Sequence, residues 1–106
     1  MTPETFRSLA LALPGAEEKS HFGKADFRVR NKIFATLKDE TTGVVKLTPE
    51  QQKILTAAEP NMFQPVPGGW GRQGSTQVML AHADVAALKS VLRTAWRNVA
   101  PKSLKV

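Results

Sequence analysis

The stretch Asp26-Phe27-Arg28-Val29-Arg30-Asn31-Lys32-Ile33-Phe34-Ala35-Thr36-Leu37-Lys38 alternates large apolar and polar side chains around a short polar break. An extended chain turns successive side chains to opposite faces, so period-two alternation reads as a half-buried β-hairpin. Phe27 and Val29 fall on one face, and Arg28 and Arg30 on the other. Asn31-Lys32 serves as a two-residue turn, although Asn-Gly would be the stronger signal. On the return, Ile33, Ala35 and Leu37 share one face, and Phe34, Thr36 and Lys38 the other. Asp39–Gly43 supplies a second turn, and Val44-Val45-Lys46-Leu47 a third strand. Three short strands with tight turns make an antiparallel meander. Residues 17–22 form a further candidate strand, ended by Gly23.

Three amphipathic helices are expected beside this sheet. Residues 2–13 place Phe6, Leu9, Ala10 and Leu13 on one face, with Thr2 as cap and Pro3 at the first helical position. Pro14-Gly15 stops that helix. Thr48-Pro49-Glu50-Gln51 has the spacing of a capping box, with Ile54, Leu55 and Ala58 on the apolar side and Glu59-Pro60 at the end. Asp84 caps a last helix to Val99, where Val85, Leu88, Leu92, Ala95, Trp96 and Val99 form the apolar stripe. Ser75–Leu80 is a strand with Thr76, Val78 and Leu80 on its inner face. The expected fold class is α+β: an antiparallel β-sheet of hairpins packed against N-terminal, middle and C-terminal helices, in one domain spanning residues 1–106.

The stretch Pro65-Val66-Pro67-Gly68-Gly69-Trp70-Gly71-Arg72-Gln73-Gly74 holds four of the seven glycines in the chain. The prolines stiffen its entry, and the glycines permit positive φ or close backbone approach. A loop of this kind can offer N–H groups to an anion. It is neither a Walker loop nor a dinucleotide fingerprint, since it lacks Gly-Lys-Ser/Thr and G-x-G-x-x-G. The plainer reading is a tight turn between two paired flanks, with Trp70 packed on the core as a lid.

The net charge is +6, and it is unevenly placed. Residues 19–38 carry six cations against Asp26, and residues 65–106 carry six against Asp84, with acidic blocks elsewhere. Such asymmetry suits a polyanionic partner. Arg28, Arg30 and Lys32, with Lys38 as a further candidate, compose a basic ribbon able to enter a groove. Lys89, Arg93 and Arg97 recur every fourth residue along the last helix, as a stripe for phosphates or simply a solvated face. Lys102–Val106 is a short basic tail.

Other classes lose support. There is no cysteine, hence no disulfide, thiol nucleophile or thiolate metal site. No stretch is apolar and long enough to span a membrane, and no secretory signal is visible, so a cytoplasmic location is expected. No His/Asp/Glu cluster suggests a metal, and no carboxylate pair or G-x-S-x-G elbow suggests catalysis. His21 has no acid or nucleophile placed beside it by the sequence. Neither a cofactor nor enzymatic activity is expected.

Leu13-Pro14-Gly15, His21-Phe22-Gly23-Lys24, Phe27-Arg28, Lys32-Ile33-Phe34-Ala35, Val45-Lys46-Leu47, Gly68-Gly69-Trp70-Gly71 and Trp96-Arg97 occur in an order that resembles the MmcQ/YjbR family of small bacterial proteins. The resemblance runs nearly the length of the chain. It implies a CyaY/frataxin-like α+β fold and a "double-wing" DNA-binding role, without a catalytic set. In that reading the wings are the hairpin at Asn31-Lys32 and the turn at Gly68–Gly74. Arg28, Arg30, Lys32 and Arg72 meet phosphates, Trp70 stacks or packs, and Arg93 and Arg97 add charge. Binding to DNA would be weak, of low sequence specificity, and by a monomer. Two alternatives stand beside it. One is a protein-interaction or chaperone-like module using its sheet face. The other is a small anionic-ligand binder at the Gly68–Gly74 loop, marked by a pocket joining Trp70, Arg72 and His21.

Overall fold

The computed structural model describes residues 1–104. The order is α1 (Pro3–Leu11), β1 (Ala16–His21), β2 (Lys24–Val29), β3 (Lys32–Leu37), β4 (Thr42–Lys46), α2 (Pro49–Ala58), β5 (Phe63–Pro65), α3 (Gly69–Arg72), β6 (Ser75–Met79) and α4 (Val85–Val99). A single 3-10 turn, Leu80–His82, joins β6 to α4. Six strands form one antiparallel sheet in the order β1-β2-β3-β4-β6-β5. The α+β class, with a sheet of hairpins backed by helices, is as the sequence suggests, with the short α3 as a fourth helix.

Helix starts follow their caps. Thr2 accepts from the Thr5 N–H at 3.2 Å, and Asp84 from the Ala87 N–H at 2.7 Å. Thr48 and Gln51 close the capping box at 3.1 and 2.9 Å. These contacts satisfy N–H groups that have no partner inside the helix. Phe6 and Ala10 of α1 and Leu88, Val91, Leu92, Ala95 and Trp96 of α4 are buried against Phe27, Val29, Ala35, Leu37, Val45 and Val78 of the sheet. Trp96 is buried because its indole N–H donates to the Pro14 carbonyl at 2.9 Å, so no polar group is stranded. α2 is different. It buries no residue fully: of its expected apolar side Leu55 packs against the core half-buried, while Ala58 is exposed and Ile54 remains 68% exposed. Val85, at the open start of α4, also stays exposed.

Three local readings are corrected. The β2–β3 turn is Arg30-Asn31, not Asn31-Lys32: Val29 pairs with Lys32, and Arg30 and Asn31 take φ of 52° and 65°. Both central residues of a primed hairpin turn need positive φ, and Asn tolerates it. Second, alternation breaks in β3. Phe27 pairs with Ala35 but Arg28 with Ile33, so Phe34 is the extra residue of a bulge. A bulge lets neighbours turn inward together, and Phe34 and Ala35 are both buried. Third, the first strand ends at His21, and Phe22-Gly23 is itself a tight turn into β2, with φ of 50° and 77°. The basic tail reaches beyond the described residues at Lys105 and Val106.

Candidate nucleic-acid interface

The main helices, α1 and α4, cover one face of the sheet and leave the other open. Strand registers fix what that face shows, because paired residues share a face. Lys19, Asp26, Thr36, Val44, Gln77 and Gln64 make one continuous cross-strand row. His21 and Lys24 pair beside it on one flank, and Lys46 and Ser75 on the other. Together with Val66 and Trp70 from the β5–β6 connection, this face encloses an open cleft of about 510 Å³. Ile33, Val44 and Val66 give it an apolar lining, Lys24, Lys38 and Lys46 supply cations, and Phe22 and Trp70 are its aromatic members.

The acid that the sequence fails to place beside His21 is Asp26. The β1–β2 turn sets His21 opposite Lys24, and therefore diagonal to Asp26, with Nδ1 2.7 Å from Asp26 Oδ2. A carboxylate only accepts, so Nδ1–H donates and the other ring nitrogen stays free of this bond. Arg28 grips the same carboxylate from the side, Nε to Oδ1 at 2.7 Å and Nη2 to Oδ2 at 3.0 Å. Its Nη1 donates to Asn31 at 3.2 Å. Asp26 has no exposed surface. The Arg28 hydrogen bonds, supported by the His21 hydrogen bond and the Arg28 charge, hold its carboxyl below the usual range despite the opposing effect of burial. The same pairing raises Arg28.

Trp70 is 64% exposed, which replaces the expectation of a core lid with a rim residue. Lys46 Nζ lies 4.7 Å from its ring centroid, within cation–π range. The loop holding Trp70 is fixed from below. Gln52 of α2 donates to the Gly71 carbonyl at 2.9 Å and the Ser75 carbonyl at 3.0 Å. A Cβ at Gly71 would collide with the Val66 carbonyl, and one at Gly74, where φ is 111°, with that of Leu47. The glycines thus serve close backbone packing around a short helix. On the other rim, Phe22 is 98% exposed at positive φ. It buries almost no apolar area there, and its ring meets His21 edge-on with centroids 6.1 Å apart.

The seven residues singled out by sequence do not share a surface. Arg28 lies on the open face, committed to Asp26. Arg30 is exposed in the turn, and Lys32 pairs with Val29 on the helix-bearing face. Trp70 lines the cleft, whereas the exposed Arg72 of the same loop does not. Arg93 and Arg97 belong to α4, behind the sheet. Arg93 Nε is buried without a partner, so this arginine is not a freely solvated stripe member. Of the charged and aromatic cleft residues, Lys24, Lys46 and Phe22 have no binding role in the sequence reading, which names Lys38 only as a ribbon candidate and His21 only in the small-ligand alternative. Their signal was present in part: Lys24, Asp26 and Arg28 alternate with core residues, and Phe22 precedes the glycine of a tight turn.

Among the described residues, no helix is long and apolar enough to cross a membrane, and no group of three or more His, Asp or Glu could hold a metal ion. The class defined by this architecture is a small α+β protein whose helix-backed sheet leaves a cationic, aromatic-rimmed face open. The YjbR family model matches residues 11–98, and the chain belongs to that family. A crystal structure of a Deinococcus radiodurans protein with a DUF419 domain is similar in fold, with a TM-score of 0.77 at 22% identity, covering 98% of this chain and 82% of that one. No curated protein matches the chain.

Proposed function

We propose that this protein is a non-enzymatic DNA-binding module that works through charge, as a cytoplasmic monomer, and that its contact surface is the open sheet face rather than the hairpin tips. The observation that carries this reading is the cleft itself: Lys24, Lys38 and Lys46 line one concave surface together with exposed Trp70. Three lysines can neutralise phosphates without breaking any ion pair of the fold, whereas Arg28 would have to leave buried Asp26. Base-edge readers are few on this face, which fits weak, sequence-tolerant binding.

The test is binding of labelled DNA across a salt series. Three phosphate contacts give a slope of log K against log salt of about −2 for single strands and about −3 for duplex. Lys24→Ala/Lys38→Ala/Lys46→Ala should flatten the slope nearly completely, and Arg93→Ala/Arg97→Ala should leave it unchanged. Equal slopes in the wild type and the lysine variant would refute the assignment. The concavity of the cleft and its joining of His21 to Trp70 also favour a second reading, a small anionic ligand. That ligand would sit on the sheet rather than at the Gly68–Gly74 loop, since Arg72 is not part of the lining.

A further inference from the structure

The cleft is built for more than charge. We infer that it takes unpaired nucleotides of a single strand, with a base stacked on Trp70 and the flanking phosphates drawn to Lys24, Lys38 and Lys46; this rests on the nucleic-acid reading above and names its substrate class. A duplex presents phosphates outward and keeps its base faces stacked inside. Against a duplex backbone the apolar lining at Ile33, Val44 and Val66 would meet charged, hydrated groups and gain nothing. An unpaired base offers an apolar π-face that suits both that lining and an indole.

The dimensions agree. From β2 to β6 the open face crosses three strand spacings, about 14 Å in all. The volume of about 510 Å³ is that of a site for one small organic ligand, well short of a duplex contact. Trp70 is 64% exposed and Lys46 Nζ lies over one face of its ring, 4.7 Å from the centroid, so a base stacking on that face displaces the ammonium towards its own flanking phosphate. Phe22 is a second exposed aromatic, held at φ 50° where most residues are strained. The two-residue turn requires that φ, and it holds the ring out at the cleft rim, edge-on to His21 with centroids 6.1 Å apart. The lysines approach the lining from β2, from the end of β3 and from β4, which suits a chain of phosphates running across the strands better than one terminal phosphate.

The experiment uses the full chain and four probes at one salt concentration: a dT 12-mer, an abasic 12-mer with the same phosphates, a blunt 12-base-pair duplex and free dTMP. Trp70 reports directly, since the other tryptophan, Trp96, is 1% exposed. The dT 12-mer should quench tryptophan emission and bind at least 10-fold more tightly than the abasic strand or the duplex. Trp70→Ala should weaken dT binding roughly 5- to 150-fold, the range for loss of one stacked base, while leaving abasic binding unchanged. Equal affinity for the dT and abasic strands, or for strand and duplex, would overturn the inference and leave charge-driven DNA binding standing. Binding of dTMP as tight as the 12-mer would overturn it in favour of a small-ligand site. No binding to any probe would overturn both readings.

Discussion

Replacing Asp26 by leucine should lower stability by about 3 kcal/mol, and the reason lies in what the substitution leaves behind. Asp26 is fully enclosed and accepts two hydrogen bonds from Arg28 and one from His21. Removing one partner of a buried pair costs about 3–5 kcal/mol, because the other charge stays desolvated. The Arg28 and His21 side chains keep 19% and 36% of their exposure, so both recover some water, which places the loss at the lower end of that range. For a domain of this size that is a fall in Tm of roughly 12–24 °C. Urea denaturation of wild type, Asp26→Leu and Asp26→Leu/Arg28→Met would measure it. The double variant should be the more stable of the two, because it removes the stranded cation along with its partner. A loss under about 1 kcal/mol in Asp26→Leu, or a double variant less stable than the single one, would refute the account of Asp26 as the anchor of this face.

Because its folded carboxyl titrates below its unfolded value, Asp26 contributes stability that is present above about pH 4, its ordinary value, and is lost as pH falls through the folded value. Stability of the wild type should therefore decline below pH 4 more steeply than that of Asp26→Asn; a residual slope remains from Asp39, lowered chiefly by the Thr41 N–H. Thr48→Ala opens the capping box of α2 and should cost about 1 kcal/mol in the same denaturation assay. Trp70→Ala removes an exposed ring and one cation–π contact, so it should change stability by about 1 kcal/mol at most, with an unaltered far-UV circular dichroism spectrum. Gly74→Ala should destabilise severely, since φ is 111° and the Leu47 carbonyl occupies the space of a Cβ; a folded variant with near-native Tm would contradict the packing described for this loop.

How far the sequence could be read depended on whether the information was local. Caps are local, and Thr2, Thr48 and Asp84 all start helices where their spacing to the next N–H groups requires. The apolar stripe of α4 and the alternation of Phe27 and Val29 are local as well, and both mark the core. The misreadings came from pairing. No pattern within β3 shows that Phe34 bulges, because the bulge exists only relative to β2. Likewise Asn31 draws attention as a turn residue, but whether it is the first or second of the turn depends on the partner strand. Ile54 continues a helical period and still faces solvent, since α2 packs along β5 and the loop rather than over the sheet.

The candidate site was less legible for the same reason, carried one step further. A surface on an open sheet draws single residues from several strands, so Lys24, Lys38 and Lys46 stand 8 to 22 positions apart and share no motif. Their convergence follows from register alone. Arg28 shows the converse: it is the most suggestive residue of the basic ribbon, yet the diagonal placement of His21 and the enclosure of Asp26 tie it into the fold. A cation held in this way still shapes its surroundings. Arg28 offsets the Asp26 charge, so the carboxylate does not oppose an approaching anion, and the neighbouring lysines act at full strength across the cleft. Breaking this pair should therefore weaken anion binding even though Arg28 itself need not touch the ligand. The effect separates from lost stability because Arg28→Met should reduce DNA affinity at low salt under conditions where the variant is still fully folded by circular dichroism. Unchanged affinity in the folded Arg28→Met protein would show that Asp26 is silent in binding and that its role ends with the fold.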